Sequence, residues 1–93
     1  MTVNGARGEV IATLAGAPRR LCLTLGALAE IETALGCEGL DGLAERMRRL
    51  SARDLKAVLG ALLRGGGETG LDAGDVEPRE AAEAVALAFA AAV

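Results

Sequence analysis

The chain has no histidine, no tryptophan and no tyrosine, and its 93 residues include a single phenylalanine. Without histidine the usual proton shuttle and the commonest metal ligand are missing. Without tyrosine and tryptophan the main stacking groups for single-stranded nucleic acid are missing too. Serine occurs only as Ser51 and lysine only as Lys56, so a hydroxyl nucleophile has almost nothing to serve as its base. Carboxylates are plentiful but badly spaced for acid–base work. Glu30 and Glu32 are two residues apart and cannot share a helix face, while Asp72, Asp75 and Glu77 fall in a solvated loop. The roles of a catalytic site are therefore unfilled: no enzyme, catalytic residue or cofactor is expected.

Fourteen residues lie between the two cysteines, Cys22 and Cys37, with no C-x-x-C pair and no histidine to complete a zinc site. No metal is expected. The spacing leaves a disulfide open, but with no secretion signal read in the chain two reduced thiols and a cytoplasmic protein are favoured. The longest apolar run, Ala84 to Val93, falls short of the ~18 residues that span a bilayer, so no membrane partner is expected.

The formal net charge is −3, divided unevenly. Residues 1–64 carry nine basic and seven acidic groups, and residues 65–93 carry one basic and six acidic groups. The cluster Arg46, Arg48, Arg49, Arg53 and Lys56 lacks interleaved aromatics and sits in an acidic whole, so it reads as a solvated helix face and not a nucleic-acid site.

What is present is aliphatic: fifteen leucines, six valines and twenty alanines. From Gly8 the pattern alternates. Val10, Ala12 and Leu14 fall opposite Glu9, Ile11 and Thr13, then Leu21, Leu23 and Leu25 opposite Arg20, Cys22 and Thr24. Two half-buried strands follow, joined through Ala15-Gly16-Ala17-Pro18, where Gly16 can take a positive φ and Pro18 suits a strand start. At Thr24, a plausible N-cap, the period becomes helical: Leu25, Leu28, Ile31 and Leu35 form a stripe that Gly36 terminates.

These residues also carry a family likeness. The pattern G-E-V-x-x-x-L-x-G-x-x-R-x-L-x-L-T-L-G-A-L-A-E-I-E, from Gly8-Glu9-Val10 through Leu14, Gly16, Arg19 and Leu21 to Glu32, resembles the small tail-assembly-chaperone proteins of gene transfer agents and related siphophage-like particles. The likeness continues through Gly39-Leu40, Leu43 and Leu50 to Leu55 as far as Gly67, about the first two thirds of the chain. It implies a protein that binds the hydrophobic tape-measure protein and keeps it soluble while tube subunits polymerise. Tape-measure and tail tube proteins, and a second copy of the chain, are the implied partners. The alternative is a structural component of the tail tube itself. The chaperone is favoured here, because one hairpin offers few strands to close a ring.

Three further helices complete the reading. Leu40, Leu43, Met47 and Leu50 mark a helix over about 41–50, with Asp41 as its cap and its arginines in solvent. Ser51, with Asp54 three residues on and Leu50 and Leu55 on either side, marks the start of a helix over 52–64. Its stripe is Leu55, Val58, Leu59, Leu62 and Leu63. The G-x-G-x-x-G at Gly65 to Gly70 follows a helix instead of a strand, so it reads as a flexible connection over 65–71 and not a dinucleotide site. Asp72 to Asp75 reads as a capped helical turn, and Glu77-Pro78 opens a last helix over 78–92.

In that last helix Val85 and Phe89 can face the domain while Leu87 projects elsewhere. The apolar end either completes the core or meets a partner; deleting Ala84 to Val93 is expected to weaken co-purification with the tape-measure protein and leave the far-ultraviolet spectrum mostly intact, whereas unchanged binding with a collapsed fold would assign the segment to the core. Met47, Val85, Leu87, Phe89 and Val93 are the candidate partner-binding residues. The expected fold is α+β: residues 1–93 as one small domain, with an N-terminal β-hairpin over about 8–24 packed against about four helices.

Overall fold

Both periods of the sequence become elements in the computed structural model, which describes residues 8–92. Strand β1 (Glu9–Leu14) pairs antiparallel with β2 (Ala17–Cys22), followed by α1 (Leu25–Leu35), α2 (Gly39–Met47), α3 (Ala52–Gly65), a 3-10 turn at Ala73–Asp75 and α4 (Pro78–Ala92). This is the expected α+β fold.

The hairpin turn is tighter than the sequence predicts. Only Ala15 and Gly16 lie between the strands, Leu14 faces Ala17, and both turn residues take positive φ, 53° and 83°. That pair of left-handed residues matches the right-handed twist of a two-residue hairpin. Gly16 adopts it readily; Ala15 does so against its preference, and its N–H donates to a Glu80 carboxylate oxygen at 3.3 Å from the first turn of α4.

Alternation sorts the hairpin as expected except at its end, where Cys22, read onto the outward face with Arg20 and Thr24, is buried beside Leu21 as β2 passes against the end of α3. Leu14 and Leu21 are fully buried, with Val10, Ala12 and Leu23 packed against the core, while Ile11 and Thr13 face outward. Beneath it lie two helices, α4 mainly under β1 and α3 under β2; α1 packs on α3, and α2 on α1. Helix α3 is thus central, burying Val58, Leu59, Ala61, Leu62 and Leu63. A Cα radius of gyration of 12.0 Å fits one packed body, for which a chain of this length gives about 12 Å.

The helix boundaries follow their caps. The Thr24 hydroxyl accepts from Ala27 N–H at 3.0 Å, Gly36 closes α1 at φ 67°, and the Ser51 hydroxyl accepts from Asp54 N–H at 3.1 Å. Asp72 caps the 3-10 turn through Gly74 N–H at 2.8 Å. Helix α2 departs from expectation: it starts at Gly39, ends at Met47, and leaves Asp41 inside its first turn. Glu38 precedes it without a side-chain cap, and the Gly39 N–H donates instead to a Glu32 carboxylate oxygen at 2.9 Å, supplied by α1.

Two side chains also depart from the reading. Leu25, placed in the buried stripe of α1, is 83% exposed. It is the first residue of the helix, beyond the reach of the core that buries Ala27, Ile31 and Leu35. Arg46, read as solvated, is half-buried and donates both to the Leu35 carbonyl and, at 2.7 Å, to Asp54.

Candidate interaction surface

Three large apolar side chains stand exposed among the described residues, and two of them flank one edge of the molecule. Ile11 projects from the outer face of β1 at 61% exposure, and Leu87 from α4 at 47%. Between strand and helix runs a shallow groove of about 340 Å³ lined by Ala12, Thr13, Glu80, Glu83, Ala84 and Leu87. Strand alternation throws Ile11 outward, and Leu87 lies about 200° around α4 from the buried Val85. The groove thus joins Ala12, Ala84 and Leu87 with two carboxylates, while Ile11 stands apart on the outer face of β1.

The candidate residues read from the sequence are not brought together as a set. Leu87 is exposed, whereas Val85 is 2% exposed and belongs to the core. Phe89 and Met47 are half-buried and pack against that core, Met47 from α2, whose main contact is α1. Val93 lies outside the described residues. Sequence reasoning overlooked Ile11, although its position opposite the inward Val10 and Ala12 was already an outward one. An aliphatic residue on the polar face of an alternating strand was the available signal.

A second, wider depression of about 830 Å³ lies between α3 and the segment leading to the 3-10 turn, with Arg53, Lys56, Arg64, Glu68 and Asp72 on its walls. Its polar groups are largely committed to the fold. Arg64 pairs with Glu30 of α1 at 2.6 Å, Glu68 accepts the Arg20 N–H at 2.9 Å, and Asp72 holds the 3-10 turn. The remaining cations, Arg53 and Lys56, face it with no ring among its lining residues to stack a base.

Titration adds one group. The hydrogen bond from Arg46 holds the Asp54 carboxyl below its ordinary value of 3.8, with the Ser51 contacts acting in the same sense and desolvation opposing them. Asp54 also lies in the first turn of α3, where negative charge suits the helix dipole. Its role is to join α1, α2 and α3. Cys22 is buried and Cys37 half-buried, and no disulfide joins them. Among the described residues no group of three or more histidine, cysteine, aspartate or glutamate residues could hold a metal ion, and no helix is long and apolar enough to cross a membrane.

A surface of this kind is suited to protein contact, and the comparison with known families accords with it. The family model described as "phage tail tube protein, GTA-gp10" matches residues 7–93. The chain belongs to that family. No curated protein and no solved structure matches it. Membership extends over nearly the whole chain the likeness first seen in its N-terminal two thirds, and places it with gene transfer agent and phage tail proteins. The family is a structural one and not an enzyme family. Its description names the tube, and so supports the component reading above the assembly chaperone that the N-terminal likeness put first.

Proposed function

We propose that the chain is a non-enzymatic component of the tail tube of a gene transfer agent or phage-like particle. The family match over residues 7–93 carries this reading. The exposed Ile11 and Leu87 side chains support it, since a subunit that assembles needs apolar surface left over after its own core is closed. Its partners would be neighbouring tail proteins, met in the cytoplasm during assembly.

One observation favours a second reading, that of an assembly chaperone which binds the tape-measure protein. The described residues hold one two-stranded sheet among four helices, whereas a closed tube wall draws on many paired strands. Quantitative mass spectrometry of purified tails separates the two. A tube component is expected at ring stoichiometry with the other tube proteins. Absence from finished tails, together with co-purification with the tape-measure protein from assembling cells, would overturn the component reading in favour of the chaperone.

A further inference from the structure

The two edges of the hairpin differ in how they are closed. Along β2 the Arg20 N–H donates to Glu68 at 2.9 Å, Pro18 has no N–H, and the backbone of Gly65 and Gly66 lies against the carbonyls of Cys22 and Arg20. Such devices blunt a strand edge. They also fix the parity of the ladder. Because Arg20 turns its N–H outward, the Ile11–Arg20 pair is one of those that exchange no hydrogen bonds across the hairpin. Ile11 therefore points its own N–H and C=O toward the opposite edge, as do Glu9 and Thr13, two residues to either side. Among the described residues no hydrogen bond reaches those groups, and no third strand lies beside β1.

We infer that the open β1 edge binds the β1 edge of a second copy of this chain, antiparallel, with the two-fold axis at Ile11. The pattern of the edge is self-complementary about that residue. Ile11 would meet its own mate, and Glu9 would face Thr13 in both directions, each pair exchanging both main-chain hydrogen bonds without setting like charges opposite one another. Helix α4 obeys the same symmetry. It starts at the hairpin tip, where Glu80 accepts from Ala15, and ends near Gly8, beside Ala91 and Ala92. The two-fold thus carries the Glu80 and Glu83 end of one copy toward the apolar end of α4 in the other. Leu87, between those ends in the groove with Ala12 and Thr13, lies toward the axis. The pairing would extend the two strands to a four-stranded sheet, set the two Ile11 side chains against each other on its outer face and bring Leu87 toward its mate beneath it.

The inference concerns the free chain and depends on edge geometry, not on the tail reading, so its failure leaves the test of tail composition intact. The full chain is examined by sedimentation and by amide hydrogen exchange as concentration rises. A dimer is expected, with protection gained at Glu9, Ile11 and Thr13. Ile11→Lys, which sets two cations at the axis, and Thr13→Pro, which removes an outward N–H without touching the ladder, should each weaken dimerisation by about tenfold or more. Leu25→Lys, at the exposed leucine that begins α1, should leave it unchanged, and circular dichroism should show all three variants folded. A chain still monomeric near about 1 mM overturns the inference. So does protection gained elsewhere, or an equal loss from Ile11→Lys and Leu25→Lys.

Discussion

Arg46 and Gly66 show how much rests on single residues in a chain of leucine and alanine. Arg46 bridges the last carbonyl of α1 and the first turn of α3, through Leu35 and Asp54. Because the folded-state pKa of Asp54 is lowered, the stability it contributes is present above its ordinary value of 3.8 and is lost as pH falls through the depressed value. Arg46→Gln should raise the Asp54 pKa toward 3.8 and flatten the acid limb of stability against pH, read by carboxyl NMR titration and urea melts. Gly66 is held by space instead of charge. A Cβ there would collide with the Arg20 carbonyl, so Gly66→Ala should lower unfolding free energy by about 1–3 kcal/mol in denaturant titration. The exposed Arg64–Glu30 pair, 62% and 47% accessible, should contribute little by comparison.

Among the elements, α4 is where the structure most alters expectation. Its ten apolar residues from Ala84 offered two roles in the sequence, and the fold divides them by face. Ala84, Val85 and Ala88 are buried, while Leu87 stands out. Removing residues 84–93 would therefore take core with it, and, contrary to the mostly intact far-ultraviolet spectrum expected from the sequence, the truncated chain should lose most of its helical signal. Leu87→Ser isolates the surface role: its stability should stay within about 0.5 kcal/mol of the parent in thermal melts, since the side chain is already half in water. The segment after α3 changes in the same way. Read as a connector over 65–71, it has its first residue, Gly65, as the end of α3, presses Gly65 and Gly66 against β2 and continues to Glu68, which closes the Arg20 N–H.

For the molecule as a whole, stability converges on α3, which touches α1, α4, β2 and the 3-10 turn. Leu59, fully buried at its centre, should lose about 2–5 kcal/mol on replacement by alanine. A domain of this size holds only about 5–15 kcal/mol in total, so Leu59→Ala should unfold in one transition at a much lower denaturant midpoint. One phenylalanine and many alanines leave few large groups to make up the difference.

Much of this was legible before the fold. Hairpin, caps and helices declare themselves locally, because alternation, the 3.6-residue repeat and the Thr24, Ser51 and Asp72 hydroxyl or carboxylate caps act over a few neighbouring residues. The α+β class and the missing catalytic groups follow from order and composition alone. Distant partners were not legible. Glu32 capping α2 and the half-buried Arg46 depend on how neighbouring helices pack, and the Glu80 contact to Ala15 and the burial of Val85 beside the exposure of Leu87 depend on segments far apart in the chain. So does the contrast between a β2 edge closed by Glu68 and glycine and a β1 edge left open among the described residues: local pattern shows that a strand has two edges, and only the packing of distant elements decides which one they cover.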